Sequence, residues 1–170
     1  NSLIARDDLA HMVAASAGFN EATGVRKFQD VPSTHPFYAW IQRMANRGLI
    51  GGYPCGGAGE PCVAPDNLPY YRPNANATRG QIAKIVANGA GFNDTPSGQT
   101  FEDVSPANAF YAYVQRLTRP DRAIMGGYNC GGPNEPCGAG NKPYFRWQNN
   151  ATRGQVAKIV ANTFFPGCNQ

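Results

Sequence analysis

With 170 residues, the chain has room for one ordinary domain or a short array of small repeats. Hydrophobic residues make up 42%, enough for a core, yet charged residues reach only 15%, and glycine (20) and proline (14) are abundant. That is the composition of a loop-rich extracellular structural protein rather than a cytosolic enzyme. The net charge of +4 is spread without any Lys/Arg-rich run, which argues against a nucleic-acid partner. No apolar stretch is long enough to span a bilayer.

In chain order, the first element is a helix over Ala5–Val13 with Leu9, Met12 and Val13 on its apolar side. Ala5 stands at its cap position, so this helix is expected to be poorly terminated. A turn at Phe28–Pro32 then leads to a helix carrying Phe37, Trp40, Ile41 and Met44, the i, i+3, i+4, i+7 stripe. Pro36 suits its first turn and Gly48 the position just past its end. A Gly51–Tyr53 turn and a long Gly/Pro/Asn loop follow, with Tyr70 and Tyr71 and at most short bridging strands. The next helix starts at Thr78, with Gln81 three residues on to complete a capping box, and it turns Ile82, Ile85 and Val86 to the core.

The same series returns about 74 residues later. Phe101–Pro106, Ala109–Leu117 (with Phe110, Tyr113, Val114 and Leu117), Gly126–Tyr128, Tyr144, Phe145 and Trp147, and Thr152–Asn162 repeat it element by element. Ala5–Val13 aligns on Thr78–Val86 without a gap, and Ala17–Phe19 on Ala90–Phe92. The chain therefore reads as two and a half units: a C-terminal half unit over 1–24, a complete unit over 25–95, and a complete unit with a tail over 96–170. Its abrupt opening, with no visible signal peptide, reads as a processed or trimmed N-terminus. Small two-helix units cannot bury their stripes alone, so the units are expected to pack on one another.

Cys55 and Cys62, and again Cys130 and Cys137, enclose Gly-rich loops of identical length. Local disulfides fit that pattern. The rival, a zinc ion shared by the two loops, lacks the close Cys-x-x-Cys spacing of structural sites. Disulfides imply an oxidising, extracellular setting. Cys168 is left over, and reads either as half of an intermolecular disulfide or as an unpaired buried thiol.

Arg79 and Arg153 stand at the starts of the two capping-box helices, with Arg6 at the matching place in the half unit. A cation there opposes the helix dipole, unless it and the free N–H groups share an anion that Gly80 and Gly154 let approach. The alternative pairs each Arg with an acidic neighbour, such as Asp30 or Asp103, to stitch repeats together. Those aspartates precede helices and read as caps of backbone N–H groups rather than catalytic acids. His11 and His35 are isolated, and Trp40 and Tyr113 read as core. The sequons at Asn76, Asn93 and Asn150 are formal glycosylation acceptors, two of them sharing their Thr with a helix cap. No nucleophile set, paired-acid cleft, phosphate loop, metal cluster or cofactor motif is present, so the chain is expected not to be an enzyme.

The ordered set Phe-x-Asp-Val, aromatic helix, Gly-Tyr, Arg-Pro-Asn and Thr-Arg-x-x-x-Ala-Lys resembles the S-layer homology family. The resemblance implies a mainly α fold of tandem helix-loop-helix repeats in a pseudo-threefold arrangement, at the bacterial cell surface. It also implies an acidic cell-envelope polysaccharide, often bearing a pyruvyl ketal, as ligand. Arg79, Arg153 and Arg6 would hold it, with Gly80 and Gly154 beside them and Tyr53 and Tyr128 stacking. Gln81 and Gln155 stand where the family commonly has an acidic residue. Two roles follow: a structural subunit that assembles with copies of itself into a layer or filament, which the lack of any cargo domain favours, and a non-covalent polysaccharide anchor as the alternative.

Overall fold

The computed structural model describes residues 2–168, without the side chain of Cys168, so the expectation for that thiol lies outside the described residues. Five α-helices carry the fold: α1 (Arg6–Ser16), α2 (Tyr38–Asn46), α3 (Arg79–Gly89), α4 (Tyr111–Thr118) and α5 (Arg153–Phe164), followed by a 3₁₀ turn at Pro166–Cys168. Among the described residues the remaining pairing consists of isolated bridges, including Tyr53 with Tyr70 and Tyr128 with Tyr144. The chain is mainly helical.

The caps follow the local chemistry. Thr78 and Thr152 each accept from the backbone N–H of Gln81 and Gln155, while those glutamines accept from the cap N–H in return. Ala5 offers α1 no side-chain cap. Helices α2 and α4 begin two residues later than Pro36 suggested, because the turn before each is closed by a side chain. His35 Nδ1 accepts from the Phe37 N–H, and Asn108 Oδ1 from the Phe110 N–H. His35, isolated in the sequence, thus does the work of Asn108. Past the end of α2, Gly48 adopts φ +69°, the left-handed conformation that closes a helix cheaply only for glycine.

Helices α1, α3 and α5 contact one another, α2 packs on α1, and α4 packs on α3. Leu9, Val13, Ile41, Met44, Ile82, Val86, Val114 and Leu117 are fully buried between them. Trp40 and Tyr113 sit at the margin of that core, half-buried. The helix N-termini are linked in a ring of backbone hydrogen bonds: Arg6 N–H donates to Ala75 O (2.9 Å), Arg79 N–H to Asn149 O (2.8 Å) and Arg153 N–H to Ser2 O (2.9 Å).

The α2–α3 and α4–α5 loops are each closed on themselves. Disulfides Cys55–Cys62 and Cys130–Cys137 bring their Cα atoms to 4.9 and 5.0 Å. Beside each, Glu60 Oε1 and Oε2 receive the forked guanidinium of Arg72 (2.7 and 2.8 Å), and Glu135 that of Arg146 (both 2.8 Å). A paired, planar contact of this kind fixes the loop more firmly than a point charge would.

Candidate functional site

The arginines at the helix starts are the first test of the site. Arg6 is only 7% exposed, and its guanidinium points into the following loop. Nε donates to Tyr71 O (2.9 Å) and an Nη to Gly51 O (3.1 Å), with the plane over the Tyr71 ring at 4.6 Å. Arg79, equally buried, repeats this on Phe145 O (2.7 Å) and Gly126 O (2.6 Å), over the Phe145 ring at 4.5 Å. Burial pushes the Arg79 guanidinium below its usual value, with Tyr128 and Asp103 opposing that shift. Neither arginine forms an ion pair with Asp30 or Asp103.

Those aspartates have another task. Asp30 accepts from the backbone N–H groups of Tyr71 (2.7 Å) and Arg72 (2.6 Å), and Asp103 from Phe145 and Arg146 (2.7 Å each). They cap backbone donors, but across the loop rather than at the helix that follows. Arg72 and Arg146 take φ +58° there, which turns successive N–H groups toward one carboxylate.

Arg153 differs from its two counterparts. Its side chain is half exposed and pairs with Asp8, which raises its pKa. Gly154 likewise meets nothing within 4 Å of a would-be Cβ, whereas Gly80 has the Phe110 ring at 2.6 Å.

Tyr53 and Tyr128 each lie between two guanidiniums. Arg6 and Arg72 approach the Tyr53 ring at 5.5 and 3.8 Å, and Arg79 and Arg146 approach Tyr128 at 5.4 and 3.9 Å. The sequence reading missed Arg72, Arg146, Glu60 and Glu135. The signal was there, since both Glu-Pro-Cys and the Arg two residues after the loop tyrosine recur in both units.

Two grooves open beside these sockets. The first, about 400 Å³, is lined by Arg6, Ile50, Gly51, Tyr53, Gln81 and Lys84, with Phe110 closing one side. The second, about 300 Å³, is lined by Arg79, Met125, Gly126, Gln155, Lys158 and Asn162. Arg, Gly, Gln and Lys thus occupy equivalent places in both. Lys84 and Lys158 are exposed at the rims. A larger cavity, about 510 Å³, lies elsewhere, between Asp94–Ser97 and Thr118–Asp121. Its carboxylate Asp94 is bound by Arg122 and Arg119, which hold its carboxyl below the usual range. The two grooves share their lining residues across the units, which makes them the better candidate. Among the described residues no cluster of His, Cys, Asp or Glu could hold a metal, and no helix is long and apolar enough to cross a membrane.

Residues 27–83 match the family model of the S-layer homology domain. The match runs from the segment before Phe28 into α3, and so takes in Asp30, the first disulfide loop, the Thr78 cap and Arg79. Over that third of its length the chain is similar to S-layer homology domains. No curated protein matches the chain.

Proposed function

We propose that the chain attaches to the bacterial cell surface by binding an acidic envelope polysaccharide in the two grooves. The observation that carries this reading is their duplication. One cationic rim (Lys84, Lys158), one amide (Gln81, Gln155) and one ring of loop carbonyls stand at matching places in two units, as a ligand of repeating chemistry would require. Arg6 and Arg79 form the groove walls. Their guanidiniums are spent on carbonyls, so they hold the Gly-Tyr loops in place while Lys84 and Lys158 meet the anion. Arg153, with its exposed guanidinium, is a further anion contact. Tyr53 and Tyr128 offer ring faces already stiffened by arginine. The units 1–24, 25–95 and 96–170 form the pseudo-threefold frame, which the ring of hydrogen bonds at the helix starts supports. Disulfide-closed loops suit an extracellular location.

The test is co-sedimentation of the protein with purified cell-wall polysaccharide. Lys84→Ala with Lys158→Ala should cut binding at least about tenfold and flatten its salt dependence. Binding that survives both changes, at every salt concentration, would overturn the reading.

A second reading, assembly of copies into a layer or filament, is favoured by the uncovered face of α5. Light scattering and negative-stain microscopy of the purified chain separate the two. A regular polymer supports assembly, and a monomer that sediments with the polysaccharide supports attachment.

A further inference from the structure

An open cleft of about 450 Å³ lies between the second disulfide loop, which brings Asn134 to it, and the segment leading into α5, which brings Trp147, Gln148 and Asn149. Its charged members are already engaged. Arg146 forks onto Glu135, and Asp103 holds two backbone N–H groups. The side-chain amides of Asn134, Gln148 and Asn149 and the indole N–H of Trp147 have no hydrogen-bond partner among the described residues. What the cleft offers is therefore neutral.

The fold itself does not require these side chains. At the matching places in the preceding unit stand Gly59, Pro73 and Asn74 of the Arg-Pro-Asn motif, and Ala75. Pro73 O and Trp147 O do the same backbone work, accepting from the N–H groups of Asp7 and Gly80 (3.1 and 2.9 Å). A proline suffices for that. Gly59 takes φ +75° and Asn134 φ +60°, a region in which asparagine is strained and glycine is not. Backbone conformation thus gives no reason for an asparagine. Trp147 is half-buried, its ring steadied by Phe110 at 5.6 Å, while Asn134, Gln148 and Asn149 are exposed.

We infer that this cleft is a binding site for a neutral saccharide, separate from the two grooves and built by the residues in which the second complete unit departs from the first. An indole face packs the C–H side of a sugar ring, and amides, each with two donors and an acceptor, reach the hydroxyl or acetamido groups at its edge. With Arg146 and Asp103 engaged, a charged sugar gains nothing over a neutral one. Three open amides around one ring suit the many polar groups of a sugar better than the sparse carbonyls of a proline-rich peptide, the other partner that indoles attract. This holds whatever the grooves at Lys84 and Lys158 bind.

The experiment is an NMR titration of the 170-residue chain with cellotriose and with chitotriose, two neutral trisaccharides. At least one should shift the Trp147 indole and the side-chain amides of Asn134, Gln148 and Asn149 saturably, with a dissociation constant on the order of 1 mM. Asn134→Gly with Asn149→Ala installs the residues of the preceding unit at exposed positions. It should weaken binding about tenfold without lowering the thermal midpoint. Lys84→Ala with Lys158→Ala should leave the titration unchanged, which separates this site from the grooves. No shift of these signals by either sugar up to about 20 mM overturns the inference. So does binding that the Asn134 and Asn149 changes do not weaken, and so does a proline-rich peptide that shifts the signals where the sugars do not.

Discussion

Helices α3 and α5 share Arg-Gly-Gln, Ala-Lys-Ile-Val-Ala-Asn and the Thr–Gln capping box, yet they live in different surroundings. In α3 the arginine is buried against two loop carbonyls, the glycine admits a phenylalanine ring, and the first alanine is sealed. In α5 the arginine, half exposed, reaches the partly buried Asp8, and the glycine and alanine face solvent. The caps are the same, because a cap is made within four residues. The rest differs because it depends on α4, which covers α3 and has no equivalent over α5 among the described residues. Identical sequence thus acquires different energetic weight from what lies across it.

The sharpest way to break this comparison is Arg79→Ala beside Arg153→Ala. Removing Arg79 leaves the buried Phe145 carbonyl unpaired and strips the cation from its ring, at a cost of about 3 kcal/mol. Arg153→Ala removes a solvent-exposed ion pair and should cost less than about 1 kcal/mol. Urea unfolding of the two variants checks this, and equal losses would dissolve the distinction.

Next in size is the glycine pair. Gly80→Ala drives a Cβ into the Phe110 ring and should cost about 2 kcal/mol, since the ring must shift in a packed site. Gly154→Ala meets nothing and should be neutral or stabilising by up to about 1 kcal/mol through helix propensity. Thermal unfolding of both variants would show shifts of opposite sign.

The caps sharpen the comparison from the other side. Thr78→Ala and Thr152→Ala should each cost about 1 kcal/mol, alike because each removes the same local bond. A markedly larger loss at Thr78 would mean that burial, rather than capping, sets its value.

The smallest effect concerns acid. Arg47 holds the Glu21 carboxyl down at about 2, from an ordinary value of 4.5. A depressed folded pKa contributes stability that is fully present above 4.5 and is lost as pH falls toward about 2. Glu21→Gln should therefore flatten the stability profile across that window and leave it unchanged near neutrality. Thermal midpoints measured against pH for both proteins decide it, and parallel profiles would remove the pair from the account.

Much of the frame was legible because its signals are local. The repeat, the two capping boxes, the uncapped start of α1 and the disulfide loops each depend on a few neighbouring residues. The site was less legible. Arg6 and Arg79 stood out through their odd place at a helix start, but nothing near them in sequence points to carbonyls more than forty residues away. Asp30 read as a local cap, while its donors lie across the loop at Tyr71 and Arg72. Arg47 covers Phe19 at 3.8 Å and Arg122 covers Phe92 at 4.0 Å, from matching places just before the positive-φ residues Gly48 and Ala123.

By itself the sequence determined the helices, their caps and the closed loops, since hydrogen bonds and covalent links within a few residues need no distant partner. Tertiary structure alone decided which arginine is a structural bolt on buried carbonyls and which meets only a carboxylate near the surface, and which glycine is required. Those outcomes depend on whether a second element covers the helix, and two nearly identical segments cannot encode that difference in themselves.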